Sequence, residues 1–267
     1  MNNTKTGKKQ NLRTRLWKKR NNSIIPEYQL TPCGICMACR INRATQWADR
    51  LTHELEEWQD ASFLTITYDD DHLPENGSLE KNEIKLFIKR LRFHWNKPIK
   101  YYICGEYGDN TLRPHYHGIF FGIGVQNLKY YGWTAWQKKC SLKNFHVDIC
   151  IPETIRYTTK YIHKKLLGKK ASEEYLKMKI EPPFALMSKG IGKNWAIKNA
   201  DKIKQKEHLI SDNGKPHGIP RYYRNLLDIT QFNSKFPDET RQLEKIATQD
   251  QREKNMVQKS KLKRGTL

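Results

Sequence analysis

Residues 100–122 read KYYICGEYGDNTLRPHYHGIFFG, two runs rich in aromatic and aliphatic residues around a loop bearing Gly, Asp and Asn. That pattern predicts a β-hairpin in which KYYICGE (100–106) pairs with PHYHGIFFG (114–122). Upstream, FLTITY at 63–68 alternates apolar and hydroxyl side chains and reads as a strand, broken by DDDHLPENG. Between that strand and the hairpin, NEIKLFIKRLRFHW (82–95) puts Ile84, Phe87, Ile88, Leu91 and Trp95 on one helical stripe. Downstream, NFHVDIC (144–150) is a further strand. Pro152 then opens a helix through RYTTKYIHKKLL that Gly168 can stop. Residues 41–59 supply an earlier helix, with Trp47, Leu51, Leu55 and Trp58 at helical spacing. The order helix–strand–helix–strand–strand–strand–helix predicts an α+β fold, an antiparallel sheet with helices packed on one face.

The hairpin carries the sharpest chemical signal, His115-Tyr116-His117. Side chains alternate along a strand, so both imidazoles share a face, about 7 Å apart, while Tyr116 points away. Glu106 lies nine residues before His115 and faces it across the hairpin. Two His and one carboxylate can hold a divalent ion and leave positions open for a substrate oxygen. The competing reading is a pair of surface histidines on a polar sheet face.

The last helix adds Tyr157 and Tyr161, four residues apart and so on one face, with Lys160, Lys164 and Lys165 on or beside it. A phenol with a reference pKa near ~10 is a poor nucleophile in neutral water. A neighbouring ammonium or metal ion stabilises the phenolate and the charge that develops on an attacked phosphate. The plainer reading packs Tyr157 on the sheet and leaves the lysines in solvent.

Composition narrows the partner. Forty-nine Lys and Arg against twenty-eight Asp and Glu leave a net charge of +21 in 267 residues. Such an excess favours a polyanion, because neutralising phosphates releases condensed counterions. A mean hydropathy of −0.85, the absence of an apolar run of membrane-spanning length and an N-terminus without a secretory signal lead us to expect a cytoplasmic protein with no membrane partner. Residues 1–20 hold eight basic and no acidic side chains, and 241–267 are rich in Gln and Lys. We therefore expect a basic N-terminal arm (1–30), a nuclease-sized domain (31–230) and a polar, basic C-terminal tail (231–267).

Cys33, Cys36 and Cys39 form a cluster whose spacing, in a cytoplasmic protein, reads as metal before disulfide. A tetrahedral structural Zn²⁺ needs a fourth ligand, for which Cys104, Cys140, Cys150 and His53 are available. Reduced structural thiols and a redox or iron–sulfur role are the alternatives. Arg40, Arg43 and Arg50 follow on the helix, where they either contact phosphates or face solvent. Tyr130, Tyr131, Trp133 and Trp136 are either a stacking platform for unpaired bases or core.

In order and spacing, FLTITYDDDHLP, GEYGDNTLRPHYHG and YTTKYIHKK resemble the three motifs of HUH replication-initiator endonucleases, in particular those of the Microviridae, the gokushovirus-like single-stranded DNA phages. TPCGICMACRINRATQWADRL, IGKNW and GIPRYYRNLL extend the resemblance over roughly 31–227. It implies a ferredoxin-like sheet and a ligand set of Glu106, His115 and His117 for Mg²⁺ or Mn²⁺. It further implies nucleophilic Tyr157 and Tyr161 with Lys160 stabilising charge, nicking of single-stranded origin DNA, and rolling-circle synthesis by a host helicase and polymerase. The rivals are another HUH enzyme (a plasmid initiator, relaxase or transposase) and a nonenzymatic, zinc-stabilised nucleic-acid-binding protein built on the cysteines.

Overall fold

The structure is a computed structural model. It describes residues 13–15, 29–31, 34, 36–108, 111–164, 169–206, 208–210, 214, 216–229, 251, 254–255 and 258. The chain divides into two compact units, Met1–Asn42 with Phe236–Leu267, and Arg43–Lys235. In the first, β1 (Arg13–Arg15) and β2 (Gln29–Thr31) pair antiparallel, Thr14 against Leu30. Most of the expected arms lies outside the described residues. Helix α1 (Met37–Leu55) begins earlier than its apolar spacing predicts, because the turn starts within the cysteine segment, where Arg40 N–H donates to the Cys36 carbonyl at 3.0 Å.

The second unit continues with β3 (Ala61–Ile66), α2 (Lys81–Trp95), β4 (Lys100–Tyr107), β5 (Pro114–Phe121), α3 (Val125–Ala135), β6 (Phe145–Ile149), α4 (Pro152–Lys164), α5 (Lys169–Lys177) and β7 (Phe184–Met187). It closes with α6 (Lys193–Lys198), α7 (Ala200–Lys206), β8 (Leu209–Ile210), β9 (Pro216–His217) and α8 (Arg221–Leu226). Five strands form one antiparallel sheet in the order β6-β3-β5-β4-β7. Its β3-α2-β4-β5-α3-β6 portion, with β3 and β5 at the centre, is the ferredoxin-like arrangement.

Strand alternation explains the layering. Leu64, Ile66, Ile103, Tyr116 and Phe120 meet the stripe Ile84, Phe87, Ile88 and Leu91 of α2 and Leu128 of α3 in one core. Tyr102, Ile119 and Phe121 on the opposite face meet Leu51 of α1 and Ile155 of α4 in a second. The α+β antiparallel fold is as expected, but the placement of helices on one face describes only the crossover helices α2 and α3. Helices also cover the other face because the strands are apolar on both sides. Gly132 lets α3 press onto β6, since a Cβ there would lie 2.9 Å from the Phe145 ring.

Tyr116 points away from the histidines, as alternation demands, and its hydroxyl ties α2 to the sheet. It accepts the Glu80 N–H at 2.9 Å at the helix start and lies 3.2 Å from the Tyr68 hydroxyl. A third core of Ala196, Ile203, Leu209, Ile219 and Tyr223 belongs to the α6–α8 segment. That segment is fastened to α1 by Asp49–His217 at 2.7 Å and by Gly192 N–H donating to Glu54 Oε2 at 2.7 Å.

Candidate active site

The β4–β5 ladder sets Glu106 directly opposite His115 and Cys104 opposite His117. Glu106, His115 and His117 therefore share one sheet face, with Glu106 8% and His117 5% exposed. His115 Nδ1 donates to the Arg113 carbonyl at 2.7 Å, which turns its Nε2 outward from the strand as an available lone pair. His117 Nε2 lies 3.2 Å from Glu106 Oε1, and its Nδ1 lies 3.0 Å from Thr65 Oγ1 on β3. A hydroxyl both donates and accepts, so Thr65 serves either tautomer of His117. When Nε2 donates to Glu106, Nδ1 accepts the Thr65 proton; when Nε2 offers its lone pair, Nδ1–H donates to Thr65.

Two imidazoles and a carboxylate on one face suit a divalent ion taking nitrogen and oxygen ligands. In the present arrangement His117 and Glu106 bond to each other, and among the described residues no three His, Cys, Asp or Glu side chains are gathered around one ion-sized point. Gly108 makes room for the His115 ring, because a Cβ at that position would stand 3.3 Å from His115 Cε1.

Helix α4 brings Tyr157 to this face. Ile155, Thr158 and Thr159 form its buried side, and the two threonine hydroxyls return to the Thr154 and Ile155 carbonyls at 2.8 and 3.0 Å. Tyr157, 46% exposed, sets its ring edge-on to His117 with centroids 5.4 Å apart and to Phe63 at 6.1 Å. Phe63 in turn lies parallel to His117 at 6.2 Å. The Cys104 thiol spans strand and helix, donating toward the His117 and Thr158 carbonyls at 3.5 and 3.7 Å, and burial pushes it far up, so it stays neutral.

Lys160 is exposed on the same helix. Tyr161 and Lys164 belong to α4, but their side chains lie outside the described residues, as does Lys165 altogether. Cys33 also lies outside them; Cys36 precedes α1, and Cys39, Arg40 and exposed Arg43 are on it. Cys140 and Cys150 are buried in the two sheet cores, where burial pushes both thiols up to about 12. Of the aromatic group, Trp136 is fully buried and donates to the Thr67 carbonyl at 3.2 Å, Trp133 donates to the Cys140 carbonyl at 3.0 Å, and only Tyr130 stands clear at 71% exposed.

Residues 61–166, which run from β3 into the segment after α4, match the family model of the replication-associated protein ORF2. The chain is 33% identical over 215 residues to the replication-associated protein VP4 of Bdellovibrio phage phiMH2K, covering 73% of this chain and 66% of that protein. It is 29% identical over 223 residues to the replication-associated protein ORF2 of Spiroplasma virus 4, covering 74% and 67%. The chain belongs to the phage replication-associated proteins. A third relative, the replication-associated protein ORF4 of Chlamydia phage 1, is 29% identical over 215 residues and is covered over 53% of its length. The chain thus spans about two thirds or less of the replication-associated proteins it matches. No solved structure matches.

In this replication-associated protein the matched segment contains Glu106, His115, His117 and Tyr157 together with three residues that spacing alone does not single out. Thr65 orients His117, Phe63 packs on both His117 and Tyr157, and Arg113 bonds Asp70 Oδ1 at 2.6 Å and the Tyr68 carbonyl at 2.7 Å, bracing the strand that bears the histidines. The only advance sign of Thr65 is the hydroxyl rhythm of FLTITY. Asp69, within the acidic DDD run, accepts from Asn144 Nδ2 and Ser141 N–H, and these bonds hold its carboxyl below the usual range. No helix among the described residues is long and apolar enough to cross a membrane.

Proposed function

We propose that this protein starts rolling-circle replication by nicking single-stranded origin DNA through a tyrosine ester and later rejoining the ends. The observation that carries the proposal is the edge-on contact of Tyr157 with His117, which puts a phenol beside two imidazoles and a carboxylate on one sheet face. In the step proposed, Tyr157 Oη loses its proton and bonds to phosphorus, the P–O3′ bond breaks, and the 3′-oxygen takes up a proton. The new 5′-phosphotyrosine conserves the phosphodiester energy for rejoining, and Tyr161, four residues on in α4, provides a second nucleophile while the first is loaded. Lys160, exposed beside Tyr157, stabilises the charge on the attacked phosphate.

Glu106, His115 and His117 would hold Mg²⁺ or Mn²⁺. Bound there, the ion supplies Lewis-acid polarisation of a phosphodiester oxygen. Thr65 holds His117 in the tautomer that this requires, and the Arg113 carbonyl does the same for His115. The origin strand is the substrate, and elongation from the freed 3′-end calls on a host helicase and polymerase.

The test is a labelled single-stranded origin oligonucleotide incubated with the protein and Mn²⁺, followed by a denaturing gel. We expect a covalent adduct that vanishes with chelator and in the Tyr157→Phe/Tyr161→Phe double variant. An adduct undiminished in that variant would sink the tyrosine assignment.

A further inference from the structure

The mechanism leaves unused a basic cleft between α1 and α8, about 280 Å³ in volume. Its half-buried centre is Arg50, whose guanidinium is held between the Trp47 ring at 4.1 Å and the Tyr222 ring at 4.0 Å while its Nε donates to the Ile191 carbonyl at 3.1 Å. Arg43 and Arg221 also line it, and both are exposed. Neither of those two guanidinium groups has a hydrogen bond or ion pair among the described residues. The neighbouring acids are already spent. Asp49 pairs with His217, and Glu54 takes Lys100 and the Gly192 N–H. Gln46 is occupied in accepting the Arg221 backbone N–H at 3.1 Å. Two uncompensated cations therefore flank a third that is fixed in place.

The cleft opens on the catalytic side of the sheet. Trp47 packs on Tyr102 at 5.2 Å, and Tyr102 precedes Glu106 by four residues on the same face of β4, roughly 13 Å along the strand. A chain of phosphates crossing the site reaches that far with a short oligonucleotide. We infer that Arg43 and Arg221, seated around the Trp47–Arg50–Tyr222 stack, grip the backbone of the single strand flanking the scissile phosphate. This rests on the reading of single-stranded DNA as substrate. It adds a binding subsite built by a helix outside the matched family segment. Guanidinium groups bind phosphate oxygens through paired N–H donors, so the contact is with backbone and carries no base preference.

The experiment measures the salt dependence of binding by full-length protein to a fluorescent single strand of unrelated sequence, with chelator present. The variants are Arg43→Gln, Arg221→Gln, the double variant, and Arg92→Gln on α2, which removes one charge from the opposite sheet face. Each lost phosphate contact lowers the slope of log K against log salt by about 0.7 on single strands, so the double variant should lose about 1.4. Arg92→Gln should leave the slope unchanged. Thermal melts should be unaltered, since both cleft side chains are exposed. A double variant that keeps the wild-type slope, or an Arg92→Gln loss as large, would overturn the inference. The adduct assay separates the two readings. Adduct formation with an unchanged slope removes the cleft and leaves the chemistry, whereas a lowered slope without adduct in the wild type removes the chemistry and leaves the cleft.

Discussion

Thr65 and His117 stand directly opposite each other on β3 and β5 and share a 3.0 Å hydrogen bond. An imidazole that must present Nε2 needs its other nitrogen engaged, and such outer partners are commonly worth ~10–100-fold in metal affinity. Thr65→Val keeps the shape and removes the hydroxyl. Mn²⁺ binding, followed by paramagnetic resonance, should weaken by about that 10–100-fold with the fold unchanged. Undiminished binding would show that His117 is oriented by Glu106 alone.

Tyr157→Phe should separate chemistry from packing. The ring contacts with His117 and Phe63 survive the change, and the side chain is 46% exposed, so stability should stay within about 0.5 kcal/mol of wild type. DNA binding should also persist. Covalent adduct should fall to what Tyr161 alone provides, and mapping the modified peptide by mass spectrometry would locate the remainder.

A matched pair of tyrosines tests the sheet. Tyr116→Phe strands the buried Glu80 N–H and takes a partner from Tyr68, which should cost about 1–3 kcal/mol in denaturant unfolding. Its hydroxyl is on the face away from the histidines, so activity per folded molecule should not change. Tyr102→Phe should do the reverse. The Tyr102 hydroxyl is buried without a hydrogen-bond partner among the described residues, and its removal should stabilise by about 1 kcal/mol while the ring keeps its contact with Trp47.

Acid should weaken the docking of α8. Burial, and secondarily the nearby charge of His217, push the His53 imidazole down to about 4, where it stacks on Trp195 and hydrogen-bonds the Tyr223 hydroxyl. Unfolded chains take up that proton near pH ~6.5 while the folded protein resists until about 4, so stability is lost as pH falls through this window, by on the order of 3 kcal/mol. His53→Gln should flatten the fall of Tm between those values. An equally steep fall in the variant would assign the acid sensitivity elsewhere, for instance to Asp49 and His217.

Much of the site is legible in the sequence because its parts are local. Period-two alternation places His115 and His117 together, hairpin closure brings Glu106 across, and helical spacing fixes the order of Tyr157 and Tyr161. What alternation does not disclose is partnership between distant segments. Thr65 finds His117 only through β3–β5 pairing, 52 residues apart, and Asp49 finds His217 only once α8 folds back, 168 residues apart. β7 is silent because FALM is four residues long, half-buried throughout and follows two prolines, so no alternation marks it. Helix α3 is obscured by Gly132, which reads as a breaker but serves close packing on Phe145. Trp133 and Trp136, at its end, turn inward as core.

The strand order has a further consequence. β5, which bears both histidines, has β3 on one side and β4 on the other, and β4, which bears Glu106, is itself flanked by β7. Their backbone amides should be among the last in the domain to exchange with deuterium, since no edge opens onto them without dismantling the ladder. Tyr157 is carried instead by a helix resting on one face. Fluctuation, and any control imposed by a partner, should reach the nucleophile by lifting α4 while the acid and imidazole array keeps its register.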